Sequence, residues 1–80
     1  MKAWYLYMDR CPSGALYTGI TTDVEKRIAA HNSGNGAKAI KALGRPVKLV
    51  YTKKAGSKSE ALKMEARIKK FSKREKEALI

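Results

Sequence analysis

The sequence predicts a small mixed α/β domain of the α+β type, with its elements in the order β-β-α-α-β-α-α. Two short segments near the start alternate apolar and polar residues, as strands do. A third short apolar run lies between helical segments, and three Ser/Thr-x-x-Glu patterns are typical of helix starts. With 80 residues, the chain has room for one domain, residues 1–80, and one small core.

Turn and capping residues predict the bounds of these elements. The strands are predicted over residues 3–8, 15–20 and 47–52, with a turn at 9–14 and a loop at 53–56. The helices are predicted over residues 23–32, 38–43, 57–71 and 74–79. Thr22, Ser57 and Ser72 are the predicted capping residues of the first, third and fourth helix.

The first two strands are predicted to form an antiparallel hairpin that brings two tyrosines together. In the first strand, Tyr7 lies on the face opposite Leu6, because successive side chains of a strand alternate. If Leu16 of the second strand shares the face of Leu6, Tyr17 lies on the face of Tyr7. Two phenol groups then meet on one face of the sheet.

The first helix carries an arginine and a histidine four residues apart. Val24 and Ile28 mark its buried stripe, with His31 beside the stripe and Arg27 further round on the same flank. We therefore expect both polar side chains to face a groove at the edge of the sheet. The alternative for His31 is a helix-end histidine without a specific task.

Apolar spacing predicts the core positions of the later elements. Leu49 and Val50 are expected in the core of the third strand. The apolar stripe of the longest helix and the chain terminus are expected to add Ala61, Leu62, Met64, Ile68, Phe71, Leu79 and Ile80.

Glu65 falls on the inward side of the longest helix rather than among its outward lysines. A carboxylate in that position is costly unless a cation, hydrogen bonds or a metal compensates its charge. The helical wheel leaves two interpretations open, an ion pair with a neighbouring Lys or Arg and a metal ligand.

The charge is strongly positive and unevenly distributed. The chain has 18 Lys and Arg against 7 Asp and Glu, a net charge of +11, and residues 38–80 contain fourteen of the basic and four of the acidic residues. This half is the expected footprint for a polyanion, with nucleic acid favoured over a membrane or a simple solubility surface. The expected nucleic-acid contacts are Lys26, Lys38, Lys41 and Arg45.

The segment 34–38 is rich in glycine and ends in a lysine. Its backbone N–H groups and Lys38 are candidates for a phosphate contact. It lacks the Gly-Lys-Ser/Thr ending of a P-loop, so a flexible turn is the alternative.

Several classes of protein are disfavoured by composition. The single Cys11 cannot form an internal disulfide, and no Cys/His pattern has zinc-site spacing. No apolar run approaches the roughly 18 residues of a membrane span, and the amino end lacks the pattern of a signal peptide. We therefore expect no membrane association and a location in the cytoplasm.

Five residues together resemble a known family. Tyr7 is followed ten residues later by Tyr17-Thr18-Gly19, then by Arg27 and His31 one helix on, and by Glu65 on the penultimate helix. Their order and spacing are similar to those of the GIY-YIG nuclease superfamily, and most similar to its small stand-alone bacterial members. The resemblance extends over nearly the whole chain.

The resemblance implies a three-stranded antiparallel sheet flanked by helices, and metal-dependent hydrolysis of phosphodiester bonds in DNA, for example in repair. It implies that Tyr17 positions or deprotonates the attacking water beside Tyr7, and that Arg27 holds the scissile phosphate. Glu65 matches the single carboxylate ligand of Mg²⁺ or Mn²⁺. His31 and Lys38 match supporting polar positions.

Two functional hypotheses follow. The first is a small endonuclease that uses Tyr7, Tyr17, Arg27 and Glu65. The second is a non-catalytic module that binds DNA or RNA through phosphate contacts, with salt-sensitive and sequence-independent affinity.

Overall fold

The computed structural model describes residues 2–36 and 38–80, apart from the side chains of Ala39 and Lys41. Its elements follow the predicted order. They are β1 (Trp4–Arg10), β2 (Leu16–Thr21), α1 (Val24–Ser33), α2 (Lys38–Leu43), β3 (Lys48–Gly56), α3 (Lys58–Lys69) and α4 (Lys73–Glu77). None of the helices in the described residues is long and apolar enough to span a bilayer.

The three strands form one antiparallel sheet in the order β2-β1-β3. The central strand is therefore β1, which pairs along both of its edges. In this register Tyr7 lies opposite Gly19 of β2 and Thr52 of β3. The fold class predicted from the sequence is confirmed.

Two strands are longer than the sequence predicts. β1 continues through Asp9 and Arg10, where the sequence predicts a turn, and Asp9 pairs with Tyr17 of β2. β3 continues through residues 53–56, where the sequence predicts a loop, and Lys53 pairs with Leu6. Pairing with β1 satisfies the backbone N–H and C=O groups of these residues, and this outweighs their weak local strand preference.

Alternation along β1 separates two clusters of buried side chains. On one face, Leu6 and Met8 pack with Ile68 of α3, and the surrounding side chains are Val50, Tyr51, Met64, Phe71 and Leu79. The second cluster contains Cys11, Ile40 of α2 and Val47, and it is flanked by Ala15, Tyr17 and Ile28. Tyr17 and α1 therefore lie at the second cluster, on the face opposite α3.

Three predicted core positions are wrong. Leu49 on the edge strand β3 is 37% exposed, Leu62 is 46% exposed and Ile80 is 49% exposed. Leu62 follows the fully buried Ala61 by one residue, and the 100° turn of a helix carries it away from the sheet.

The predicted capping residue of α1 is also wrong. The N-cap is Asp23 rather than Thr22, and its carboxylate accepts a hydrogen bond from the backbone N–H of Lys26 at 3.1 Å. At the other end Gly34 has the left-handed φ of 91° that terminates the helix. Ser57 and Ser72 cap α3 and α4 as predicted.

A bidentate ion pair joins the terminal helix to the central strand. The Arg10 guanidinium donates to the two carboxylate oxygens of Glu77 at 2.6 and 2.8 Å. The planar fork of arginine matches the carboxylate in this geometry. It connects α4 to the end of β1.

We predict that truncating two of the apolar side chains of α3, Ile68 and Leu62, changes the free energy of unfolding by very different amounts. Ile68→Ala removes a side chain that is 7% exposed, and we expect a loss of about 2–5 kcal/mol in the free energy of unfolding. Leu62→Ala, the control on the same helix, should cost within about 0.5 kcal/mol because the side chain is largely exposed. Chemical denaturation measures both. Equal losses would contradict this assignment of the inward face.

Candidate functional site

Two tyrosines meet on one face of the sheet, as the sequence predicts. Tyr7 on β1 and Tyr17 on β2 have ring centroids 6.3 Å apart, with planes tilted by 44°. The alternation of the two paired strands produces this approach, because both side chains lie on the face opposite Leu6 and Met8.

The last turn of α1 adds a third ring to this pair. The Tyr7 hydroxyl and His31 Nε2 share a hydrogen bond of 2.9 Å. The imidazole also meets Tyr17 edge-on, with centroids 5.5 Å apart. Tyr7, Tyr17 and His31 therefore form one cluster, here called the ring cluster, which joins the sheet to α1.

The ring cluster has a buried part and an accessible part. Tyr7 is 1% exposed and His31 is 0% exposed. The prediction that His31 faces an open groove is therefore wrong. Tyr17 and Arg27 are only partly buried. Tyr17 and Arg27 are therefore in partial contact with solvent, whereas the hydrogen bond between Tyr7 and His31 is not.

The electrostatic setting keeps the buried pair neutral. Burial raises the pKa of Tyr7 to about 12, and the charges of Tyr17 and Asp9 add to this, whereas hydrogen bonding and charge from Arg27 oppose it. Burial, and then the Arg27 guanidinium, lower the pKa of His31. At neutral pH the site holds a phenol and a neutral imidazole.

Two glycines let the rings approach the backbone. A Cβ at Gly19 would lie 2.5 Å from the Tyr7 hydroxyl oxygen, and a Cβ at Gly36 would overlap the His31 ring. Gly36 and the helix-ending Gly34 thus have packing and conformational reasons to be glycine. These reasons apply whether the segment is a flexible turn or a phosphate-binding loop, so the phosphate contact stays a prediction; Ala37 lies outside the described residues.

Asp9 is the buried group that sequence reasoning missed. It is 0% exposed, and neither of its carboxyl oxygens has a hydrogen-bond partner among the described residues. Its Oδ2 lies 3.9 Å from His31 Nε2, and burial raises its pKa from 3.8 to about 7. Continuing the alternation from Tyr7 by two residues would have found it, but the predicted turn ended the strand too early.

A cleft opens beside Arg27 at the start of α1. It has a volume of about 240 Å³, and its lining residues are Lys2, Thr21, Thr22, Asp23, Lys26, Arg27 and Ala30. Three of these side chains are cationic and two carry hydroxyls. The cleft therefore offers charge and hydrogen-bond donors suited to phosphate oxygens.

The other predicted nucleic-acid contacts are placed as follows. Lys26 is exposed at the cleft, and Lys38 is exposed at the start of α2. Arg45 is exposed and donates to the backbone oxygen of Asn32 at 3.5 Å. The side chain of Lys41 lies outside the described part of the chain.

Glu65 is partly accessible on α3. Its side chain is 21% exposed and forms an ion pair of 3.5 Å with Lys69, one turn further along the helix. This is one of the two arrangements that the helical wheel left open. In residues 2–36 and 38–80, no group of three or more His, Cys, Asp and Glu side chains could hold a metal ion.

A single carboxylate nevertheless fits a divalent ion of the Mg²⁺ type. Such an ion keeps several waters and takes one or two carboxylates together with substrate phosphates. The Lys69 partner of Glu65 is an exposed side chain, and an ion pair of this kind is weak and exchangeable. Glu65 is thus available as a ligand, completed by water and phosphate oxygens.

Comparisons with known proteins show the family of this chain. Residues 3–78 match the model of the GIY-YIG catalytic domain. The chain is 54% identical to a UPF0213 protein of Cronobacter sakazakii, over the whole chain and 83% of that protein. It is 51% identical to one of Serratia proteamaculans, over the whole chain and 78% of that protein.

Solved structures show the same similarity. A UPF0213 protein of Bacillus halodurans, solved by solution NMR, has a TM-score of 0.60 and 47% identity over 95% of this chain and 80% of its own. A protein of E. faecalis, also solved by NMR, has a TM-score of 0.67 and 42% identity over 98% of this chain and 82% of its own.

We predict that Asp9 makes folding stability decrease with pH. Between pH 3.8 and about 7 the folded protein keeps a proton that the unfolded chain has released. The contribution of the protonated Asp9 carboxyl group to the unfolding free energy is therefore complete below this pH range and is lost as the pH rises through it. Relative to Asp9→Asn, the unfolding free energy of the wild type should fall by up to about 1.4 kcal/mol per pH unit.

Denaturant unfolding at a series of pH values measures this difference. Because His31 lies 3.9 Å from Asp9, the two groups titrate as a coupled pair, and the difference between the two proteins reports the ionisation of Asp9 together with its effect on His31. Glu25→Gln removes an exposed carboxylate of α1 and should keep the wild-type profile. Parallel profiles for the wild type and Asp9→Asn would show that the carboxyl group ionises freely in the folded protein.

Proposed function

This chain belongs to the GIY-YIG family, and from that premise we propose that it is a divalent-metal-dependent endonuclease that hydrolyses phosphodiester bonds in DNA, in repair or processing. The observation that carries the proposal is the ring cluster with Arg27 beside it. It combines an accessible phenol, an accessible guanidinium and a rigid buried support on one face of a small sheet.

Arg27 and Tyr17 are the residues proposed to touch the substrate. A guanidinium donates two parallel hydrogen bonds to phosphate oxygens and stabilises the charge that develops on them. The Tyr17 hydroxyl can accept a hydrogen bond from the attacking water and orient it. Both side chains are partly exposed, so a phosphodiester can approach them without opening the fold.

Tyr7 and His31 are proposed to support this pair from behind. They are buried, and their 2.9 Å hydrogen bond fixes the position of α1 against β1. Arg27 lies one turn before His31 on the same helix. A fixed imidazole therefore also fixes the backbone position from which the Arg27 side chain extends. This matters because small misplacements of catalytic groups lower the rate strongly.

Because α3 packs on the sheet face opposite the ring cluster, Glu65 is proposed to hold Mg²⁺ or Mn²⁺ from the edge of the sheet, together with phosphate oxygens of the substrate. When bound, the ion polarises the phosphoryl group and lowers the pKa of water. The protein's own contribution is the carboxylate, released from its exchangeable ion pair with Lys69.

The path of the nucleic acid follows from the positive charge. The cleft lined by Lys2, Lys26 and Arg27 shares Arg27 with the candidate site, and it suits a phosphate next to the scissile one. Lys38, Lys41 and Arg45 are further proposed contacts. Such phosphate contacts fix the position of the strand but do not read its sequence.

Cleavage assays test the proposal with matched variants. The protein is incubated with nicked, branched and single-stranded DNA and with RNA, in Mg²⁺ or Mn²⁺. We expect Arg27→Ala to lower the cleavage rate about 10²–10³-fold, by loss of charge stabilisation. Glu65→Gln should lower it more than about 100-fold, since a metal ligand supports several kcal/mol of transition-state stabilisation.

Glu60→Gln is the control, because Glu60 is an exposed carboxylate on the same helix and pairs with Lys63. It should cleave at the wild-type rate. Unchanged cleavage in Glu65→Gln would contradict the metal assignment. Salt-sensitive binding of every substrate without any cut product would favour the non-catalytic binding module instead.

A further inference from the structure

A second cleft, here called the Tyr5 cleft, adjoins the cleft beside Arg27. Its volume is about 390 Å³, and its lining residues are Tyr5, Thr22, Asp23, Val24, Glu25, Leu49 and Thr52. Sites for small ligands have volumes of about 300–1,000 Å³. Tyr5 shares the sheet face of Tyr7 by strand alternation. On β3, Thr52 lies opposite Tyr7 and Leu49 lies opposite Asp9, so the floor of the Tyr5 cleft is on the face that carries the ring cluster.

The floor of the Tyr5 cleft is an apolar surface that the fold leaves uncovered. Leu49 is 37% exposed, and Tyr5 and Val24 are only partly buried. Within the part of the chain that the structure describes, the Tyr5 ring contacts no other aromatic ring. A contiguous apolar surface of this kind marks a binding surface. A planar group can therefore stack on the phenol ring.

Charge distinguishes the two adjoining clefts. The cleft beside Arg27 is cationic, whereas the charged residues among the described lining of the Tyr5 cleft are Asp23 and Glu25. The Asp23 carboxylate caps α1 by accepting from the N–H of Lys26. Glu25 is exposed and forms no ion pair with any described residue. A free carboxylate repels phosphate and accepts hydrogen bonds from N–H groups.

The two clefts share Thr22 and Asp23 in their linings. A ligand that occupies both therefore has a phosphate at one end and, at the other, an uncharged planar group with N–H donors. A nucleotide has this composition. We propose that the Tyr5 cleft binds an unpaired nucleobase of the DNA substrate, stacked on Tyr5 and donating to Glu25. The inference rests on the proposed nuclease function, which supplies the phosphate beside Arg27.

This subsite selects the class of DNA that the protein takes. In a duplex, neighbouring bases cover both faces of each base, and its Watson–Crick edge is paired, so neither Tyr5 nor Glu25 could reach it. Stacking tolerates any base, because every base has a π-face. The carboxylate adds a preference for guanine, whose Watson–Crick edge has two adjacent N–H donors, over thymine, which has one donor between two carbonyl oxygens. The inferred substrate is DNA with an unpaired segment at the cleavage position.

NMR titration of the wild-type protein tests the inference without any substitution. Metal is removed with EDTA, so the DNA stays intact. The three ligands are a short mixed-sequence single strand, a strand of abasic sites of the same length, and a blunt duplex. We expect the signals of Lys26 and Arg27 to move with all three, because each carries phosphates. The signals of Tyr5 and Leu49 should move only with the single strand that carries bases.

Binding measurements with variants separate stacking from charge. Tyr5→Leu keeps an apolar strand residue but removes the ring, and it should weaken single-strand affinity about 5–100-fold. Its duplex affinity should be unchanged, and Tyr5→Phe should restore single-strand affinity. Tyr51→Leu, the matched change on the other face of the sheet, should bind both DNAs as the wild type does. Glu25→Gln should abolish the preference for guanine over thymine in otherwise identical strands.

The possible results separate this inference from the proposed function. Tyr5 signals that stay constant with the single strand, or that move equally with the abasic strand, would overturn the inference alone if Lys26 and Arg27 respond. Wild-type affinity of Tyr5→Leu for the single strand would also overturn it. Constant signals at Lys26 and Arg27 with every DNA would contradict the proposed function itself. Tyr5 signals that respond in a protein without cleavage activity would support a base-binding site in the non-catalytic module.

Discussion

The buried hydrogen bond between the Tyr7 hydroxyl and His31 Nε2 is the interaction on which the rest of the site depends. It connects the central strand to the last turn of α1 over 24 residues of sequence. Gly19 and Gly36 make room for its two rings. Because both partners are sealed from solvent, the bond has no competing water, and losing one partner would leave a buried polar group unsatisfied.

This buried bond explains how so small a domain can present accessible groups in a fixed arrangement. Tyr17 contacts the His31 ring, and Arg27 is carried by the same helix. The partly exposed side chains thus extend from a rigid base rather than from mobile loops. Arg27 has a second effect, since its charge lowers the pKa of both buried partners and connects the accessible side of the site electrostatically to the hydrogen bond behind it.

The sequence predicts those features that depend on local periodicity. Strand alternation is a local property, so the meeting of Tyr7 and Tyr17 and the order of the elements could be derived from it. The burial of Asp9 follows from the same alternation only if β1 continues past Met8, and that continuation depends on strand pairing with both neighbours, which local strand preference does not predict. Leu62 illustrates the same limit, since a helical wheel gives the direction of a side chain but not the width of the surface that covers it.

Single-turnover cleavage by Tyr17→Phe tests the central claim most directly. The substitution removes one hydroxyl from the accessible side of the ring cluster and keeps the ring that packs against His31. The proposed role predicts a rate about 10²–10⁴-fold below the wild type, with DNA affinity unchanged. Tyr51→Phe, in the cluster on the other face of the sheet, should cleave normally. Cleavage by Tyr17→Phe at the wild-type rate would contradict the claim that this face of the sheet is the active site.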